Sequence, residues 1–182
     1  MIRMPDNTEW EEAITYKQFL KRARENVEMI KARFNDFVLN EEDMDEISSI
    51  QNGIRILVIG TERCSDTAGN LPVLAKIAES TGMVKLRILD SDEHAEYHQR
   101  FKVNGKRKTP VVLFLNPENE ELCRWVERPN AAYKIINEAD SPSIEDRRKA
   151  LKQLYSDPEI QRQSFYEFMN LIVRSDFILG RN

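Results

Sequence analysis

The sequence contains little cysteine and no long hydrophobic run. Its 182 residues include only two cysteines, Cys64 and Cys123. Two cysteines make no disulfide framework, which is typical of proteins in a reducing compartment. No apolar run approaches the ~20 residues that cross a bilayer, so a membrane-spanning protein is not expected. Because residues 1–6 also lack the apolar stretch of a signal peptide, we predict a cytoplasmic protein.

The sequence also lacks a strong excess of one charge. Charged residues make up 32% of the chain, yet the formal net charge is only −4. Such a balance gives little attraction to phosphate backbones or anionic lipids, so we expect no nucleic-acid partner and no membrane partner. The 41% of hydrophobic residues is enough, at this length, for one buried core.

Strand and helix patterns alternate in the central part of the chain. The β-branched run Ile54–Gly60 predicts a strand buried on both faces, and apolar residues at helical spacing follow it. Only five residues, 116–120, separate the last two predicted strands, so these must form an antiparallel hairpin within a mixed sheet. The predicted strands are 54–60, 84–90, 111–115 and 122–126, and the predicted helices are 65–80, 93–101 and 130–138.

Both ends of the chain show helical spacing of apolar residues. The segment Thr8–Val38 predicts one long helix or two consecutive ones, and Glu41–Ile50 predicts a short helix. Towards the other end, Ser143–Tyr155 and Asp157–Ile178 predict two helices that begin with N-cap residues. We expect a helical extension over 1–52, a core over 53–140 and a second helical extension over 141–182, packed as one globular unit.

Cys64 stands where the first predicted strand meets the following helix. The unpaired N–H groups and positive dipole end of a helix N-terminus favour a thiolate, the nucleophilic form of cysteine. Arg63 adds to this effect, whereas Glu62 and Asp66 oppose it. The alternative is a small buried residue that packs the turn, as free cysteines commonly do.

The order of elements and three motifs resemble the thioredoxin-like superfamily. Cys64 matches the nucleophilic cysteine of that family, and Pro72 matches the proline that kinks the next helix. Thr109-Pro110, before a strand, matches the Thr and cis-proline that face the cysteine. The resemblance covers residues 54–137 and implies an α/β, thioredoxin-like fold with a mixed four-stranded sheet flanked by helices. The added terminal helices and the variant turn are similar to a bacterial subgroup of thioredoxin-like proteins.

The turn departs from the pattern of dithiol thioredoxins. Where they have Trp-Cys-x-x-Cys, this chain has Arg63 before Cys64 and Thr67 in place of the second cysteine. Val58 stands where thioredoxins keep a buried Asp that relays protons. A lone thiol proceeds only to a mixed disulfide, which another thiol must resolve. The expected chemistry is therefore monothiol exchange at Cys64, with the Thr67 hydroxyl stabilising the thiolate.

The resemblance also places a substrate groove beside Cys64. The residues expected in this groove are Arg63, Ser65, Asp66, Thr109, Pro110 and Val111. For Asp66, an acid/base role toward the thiol is one interpretation, but the structural interpretation is the stronger, because helix electrostatics alone favour an acidic residue in the first turn. A nearby basic cluster would bind a ligand carboxylate, or else forms a solvated loop. The residues of this cluster are Lys106, Arg107 and Lys108.

No metal and no bound cofactor are predicted. His94 and His98 lie four residues apart, but no third ligand follows at a convincing spacing. A low-molecular-weight thiol is the expected co-substrate. Cys123 is predicted to be structural and distant from Cys64, without a disulfide between them.

Two functional hypotheses follow from the sequence. In the first, the protein performs monothiol thiol–disulfide exchange with a small thiol or an oxidised protein partner. In the second, it is a non-catalytic thioredoxin-fold interaction module that has lost the resolving cysteine. Cys64, Pro72 and Pro110 favour the first, and Thr67 in the second cysteine position motivates the other. The oligomeric state is open between monomer and homodimer.

Overall fold

A computed structural model describes residues 8–138 and 143–181 of the chain. Its described part contains a four-stranded sheet in the order β2-β1-β3-β4. Strand β1 pairs in parallel with β2 and antiparallel with β3, and β3 and β4 form an antiparallel hairpin. The predicted mixed sheet is confirmed, and β4 begins one residue before its predicted start. The strands are β1 (Ile54–Gly60), β2 (Val84–Asp90), β3 (Val111–Leu115) and β4 (Glu121–Val126).

Short helices precede the sheet. They are α1 (Thr8–Glu12), α2 (Tyr16–Arg22), α3 (Val27–Asp36) and α4 (Glu41–Ser48). The prediction of one long helix or two over residues 8–38 is wrong, because the chain breaks twice there. Ile14 forms a backbone bridge to Ile88 of β2, and Thr15 then caps α2 through a capping box. Asn26 makes the second break in a left-handed conformation with φ 55°. The bridge at Ile14 covers part of the free edge of β2.

The next helices flank the sheet. They are α5 (Ser65–Glu79), α6 (Ala95–His98) and α7 (Asn130–Glu138). Helix α6 is shorter than predicted, because residues 99–101 form a 3₁₀ turn. Most of the 15 residues of α5 are buried, and Pro72 lies inside this helix. Helix α5 is therefore covered on most of its circumference, unlike an ordinary surface helix with one apolar face.

The described chain ends with α8 (Ile144–Leu154) and α9 (Pro158–Leu179). Ser143 and Asp157 cap these helices, as predicted, by accepting backbone N–H hydrogen bonds. On α9, the Phe168 ring lies 4.8 Å from that of Trp125 on β4, so the helix packs on the sheet. The predicted boundary at residues 139–142 lies outside the described residues. Within the described ranges, we find no helix long and apolar enough to cross a membrane.

Candidate functional site

Cys64 is the N-cap residue of α5 and follows the short turn after β1. Its backbone is extended, with φ −84° and ψ 123°, and its carbonyl accepts the N–H of Ala68 at 2.9 Å. The residue is partly exposed, and its Sγ lies 3.4 Å from the carbonyl oxygen of Thr109. As the N-cap residue, Cys64 stands beside the first turn of α5, but its side chain accepts no hydrogen bond from the backbone N–H groups there, and its thiol donates to the Thr109 carbonyl.

The Thr109–Pro110 segment forms the opposite wall of the site. Its peptide bond is cis, as the family resemblance implied. Thr109 is partly buried, whereas Pro110 and Val111 are buried. Val111 pairs with Ile59 on β1 and with Val126 on β4, so this wall begins in the middle of the sheet. The structure thus places the Cys64 thiol and the Thr109 backbone side by side.

Thr67 is completely buried, one helical turn after Cys64. Within the described part of the chain, its Oγ1 has no hydrogen-bond partner. A Cβ atom at Gly60 would lie 2.9 Å from this Oγ1, so the close approach of α5 to the end of β1 requires glycine there. A buried hydroxyl without a partner is costly. Within the described residues, no hydrogen bond joins the Thr67 hydroxyl to Cys64.

Ser65 and Asp66 were predicted to line the groove, yet both are buried. Asp66 accepts hydrogen bonds from the Tyr155 hydroxyl at 2.6 Å and from Arg128 Nη2 at 2.8 Å. Burial raises the pKa of Asp66 to about 6, although Arg128 and Tyr155 act in the opposite direction. This geometry favours a structural role for Asp66, which anchors the first turn of α5.

Tyr155 links the C-terminal helices to this turn. It lies at the end of α8 and is completely buried, and its hydroxyl accepts a hydrogen bond from Asn70 Nδ2 at 2.9 Å. Burial and the neighbouring Asp66 carboxylate raise the pKa of Tyr155. Sequence analysis missed this residue, because it lies 89 positions from Asp66 and within no recognisable motif.

The basic residues near the groove are mostly engaged with protein groups. Arg63 is exposed and forms an ion pair with Asp92. Arg107 donates to the Ser91 carbonyl at 3.2 Å, and Lys108 Nζ lies 3.3 Å from Glu127 Oε1. Lys106 is exposed, and its backbone pairs with that of Val103. Two of the three residues predicted to bind an anion thus already bind protein atoms.

The two histidines have separate structural environments. His94 Nε2 lies 3.0 Å from Glu12 Oε2. His98 is buried, and its Nε2–H donates to the Lys108 carbonyl at 2.8 Å, which fixes the loop before Thr109. Burial lowers the pKa of His98 and so favours the neutral ring. Among the described residues, no group of three or more His, Cys, Asp or Glu side chains is arranged to hold a metal ion.

Cys123 packs against the last helix. Its Sγ lies 3.3 Å from Ser175 Oγ and 3.6 Å from the Leu171 carbonyl oxygen, both on α9. Burial raises the pKa of its thiol. Cys64 and Cys123 are both free cysteines. Cys123 is therefore a packing residue at the interface between β4 and α9.

The mixed sheet, the cysteine at the start of α5 and the facing proline define a thioredoxin-like protein. A family model described as thioredoxin matches residues 13–141, and the chain belongs to this family. The matched segment includes helices α2 to α4 as well as the sheet. No curated protein sequence matches the chain.

Two solved structures have a similar fold. A crystal structure of a Pseudomonas aeruginosa protein of unknown function has a TM-score of 0.74 and 19% identity, and the match covers 93% of this chain and 98% of that one. A crystal structure of an HIV epitope-scaffold has a TM-score of 0.69 and 17% identity, and the match covers 91% of this chain and 95% of that one. Identities this low show the fold alone. The predicted thioredoxin-like fold with added helices at both ends is thereby confirmed.

Proposed function

We propose that the protein performs monothiol thiol–disulfide exchange through Cys64. The main support is the 3.4 Å approach of Cys64 Sγ to the Thr109 carbonyl oxygen, beside Pro110. An extended peptide that pairs with the Thr109 backbone would bring its own sulfur close to this thiol. The two cysteines, both free, fit a reducing compartment, so a cytoplasmic redox protein belongs to the same proposal. A bacterial origin belongs to it only through the resemblance of the turn and the terminal helices to a bacterial subgroup.

In the proposed reaction, the Cys64 thiolate attacks one sulfur of a disulfide in an oxidised protein or small-molecule partner. A new S–S bond forms at Cys64 while the partner's S–S bond breaks, and the departing sulfur leaves as a thiolate that takes up a proton. A low-molecular-weight thiol, deprotonated, then attacks the mixed disulfide. This second step releases the Cys64 thiolate and leaves the attacking sulfur in a new disulfide. The Thr67 hydroxyl would stabilise the Cys64 thiolate in both steps.

A second candidate is a non-catalytic interaction module that holds its partner in the same groove. The observation that favours it is the fully buried Thr67 in the position of a resolving cysteine. Backbone pairing at Thr109 would then provide affinity without exchange of sulfur. Neither function requires more than one chain, so both are compatible with a monomer or a homodimer.

The rate of Cys64 alkylation by iodoacetamide, measured against pH, separates the two functions. Monothiol exchange predicts a rate that reaches its plateau near neutral pH, because the nucleophile is then already a thiolate. Cys64→Ser should abolish this reaction, and Cys123→Ser should leave it unchanged. A rate that still rises above about pH 8.5, the ordinary thiol value, would instead support the interaction module.

Exchange itself is tested with oxidised glutathione as the disulfide. We expect mass spectrometry to find a single adduct, located on Cys64. We also expect no catalytic reduction of insulin with a dithiol as regenerating reductant, since a monothiol site has no second sulfur. Rapid insulin turnover would show that another thiol resolves the mixed disulfide and would contradict the monothiol mechanism.

A further inference from the structure

We propose that Glu127 and Tyr155 are positioning residues. Together they set the distance between Cys64 and the opposite wall of the site, which Thr109 and Pro110 form (the proline wall). Tyr155 lies at the end of α8 and bonds Asp66 in the first turn of α5, so the C-terminal helices would help to position Cys64. The inference rests on the proposed function, because it concerns how the Cys64 site meets an extended disulfide substrate. Its support is a chain of buried hydrogen bonds that runs from one wall of the site to the other.

Glu127 holds the proline wall from both sides. It is buried and has a left-handed backbone, with φ 70°, which is uncommon for a residue other than glycine. In this conformation its N–H donates to the Pro110 carbonyl at 2.8 Å. Its carboxylate Oε1 lies 3.3 Å from Lys108 Nζ, and its Oε2 accepts the Tyr133 hydroxyl at 2.6 Å. One residue thus contacts the chain before and after the Thr109–Pro110 bond.

Arg128 joins this wall to α5. Its Nη2 donates to Glu127 Oε1 and to Asp66 Oδ2, both at 2.8 Å. Only 8% of Arg128 is exposed, so these are charge-assisted bonds away from bulk water, where they are strong and directional. Asp66 lies two residues after Cys64. A continuous series of side chains therefore connects Lys108 to the helical turn that presents the thiol.

Tyr155 completes this series from the C-terminal extension. Its hydroxyl donates to Asp66 Oδ1 at 2.6 Å, and Asn70, which donates to the same hydroxyl, is in turn bound by Ser164 of α9 at 2.6 Å. Its ring packs directly on α5, because a Cβ atom at Gly69 would lie 2.3 Å from Tyr155 Cγ. Loss of the hydroxyl would leave Asp66 with fewer partners and allow the first turn of α5 to shift.

The test compares two reagents on the full-length chain. Iodoacetamide requires only the Cys64 thiolate, whereas a peptide mixed disulfide must also fit between Cys64 and the Thr109 backbone. For Tyr155→Phe, we expect the rate with the peptide disulfide to fall about fivefold, roughly the effect of one hydrogen bond. The iodoacetamide rate should change by less than about twofold, because the ring still packs on Gly69. Tyr166→Phe, at a 49% exposed tyrosine on α9, is the matched control and should change neither rate.

Glu127→Gln provides a second, independent variant. It keeps the shape of the side chain and removes the charge between Lys108 and Arg128, so we expect the same selective loss. If Tyr155→Phe does not fold, Glu127→Gln still tests whether this series of side chains positions Cys64. Unchanged rates with both reagents, or equal losses with both, would overturn the positioning role. A wild-type protein that reacts with iodoacetamide but not with the peptide disulfide would overturn the proposed exchange itself.

Discussion

Thr67 shows how one side chain separates this site from a dithiol site. It occupies the position of the second cysteine in Cys-x-x-Cys, is completely buried and has an Oγ1 without a partner in the described part of the chain. A threonine hydroxyl donates one hydrogen bond and cannot form a disulfide. Under the proposed exchange, Thr67 would act only by stabilising charge on Cys64, so it is the first residue to substitute.

Thr67→Val separates the hydroxyl from the shape of the side chain. Because the hydroxyl is buried without a partner among the described residues, its removal should leave the free energy of unfolding unchanged or raise it by about 1 kcal/mol. If the hydroxyl acts as proposed on the Cys64 thiolate, the rate of Cys64 alkylation at pH 7 should fall about fivefold, the effect of one hydrogen bond. Thr67→Ser keeps the hydroxyl and should retain most of the rate. An unchanged rate in Thr67→Val would show that the hydroxyl does not act on the thiol.

Helix α5 is the element on which the site depends. It is held closely on two sides, by Gly60 at the end of β1 and by Tyr155, whose ring packs on Gly69. A helix that is buried on most of its circumference has apolar residues on nearly all sides. The spacing of these residues predicts the helix but does not show which other elements cover it. Only the assembled structure shows that α8 and α9 cover helix α5.

Gly69→Ala should destabilise the protein, although alanine is the better helix former. A new Cβ at 2.3 Å from Tyr155 Cγ must displace the ring, and such overpacking costs about 1–3 kcal/mol, more than the ~1 kcal/mol gained in helix propensity. Denaturant unfolding measures the change. Gly82→Ala is the matched control, because a Cβ there meets no atom within 4 Å. In a Tyr155→Ala background, Gly69→Ala should become neutral or stabilising, and continued destabilisation there would contradict the clash.

The whole molecule shares one main core. A single cluster of buried side chains includes Ile30 from α3, Val58 from β1 and Phe165 from α9. The buried Asp66 then adds a polar connection between α5, the segment after β4 and the end of α8, through Arg128 and Tyr155. Because ionised Asp66 is removed from water, the stability of the molecule depends on the pH at which this carboxyl group titrates.

Burial raises the pKa of Asp66 from 3.8 to about 6, so the folded protein binds this proton more tightly than the unfolded chain. The contribution to stability is complete below about pH 4 and is lost as pH rises through about 6. Between pH 4 and pH 7, the unfolding free energy of the wild type should therefore fall relative to Asp66→Asn by about 2 kcal/mol. Denaturant titrations of both proteins at several pH values measure this difference. A difference that stays constant with pH would contradict it.

Predictions from the sequence succeeded where residues within an element mark its two ends. They failed where contacts with distant residues shape the element. The runs 54–60, 84–90 and 111–115 predicted their strands to the residue, because β-branched side chains and flanking turns mark both ends. The segment Thr8–Val38 failed, since its breaks follow from the bridge of Ile14 to Ile88 and the left-handed Asn26. For Asp66, the sequence favours a role in the helix turn over an acid/base role, but it gives no sign of the partners Arg128 and Tyr155, which lie 62 and 89 positions away.

The sequence by itself determined the mixed four-stranded sheet, the place of Cys64 before α5 and the replacement of the second cysteine by Thr67. The strands and the junction at Cys64 follow from patterns within a few residues, because the spacing of apolar side chains and backbone sterics fix local structure. The place of Thr67 follows from comparison with the short Cys-x-x-Cys motif. Only the tertiary structure decided that Thr109 faces Cys64 at 3.4 Å and that Glu127, Arg128, Asp66 and Tyr155 form one connected series. Apart from the adjacent pair Glu127 and Arg128, those contacts join residues 45 to 89 positions apart, and burial of the shared core brings them together.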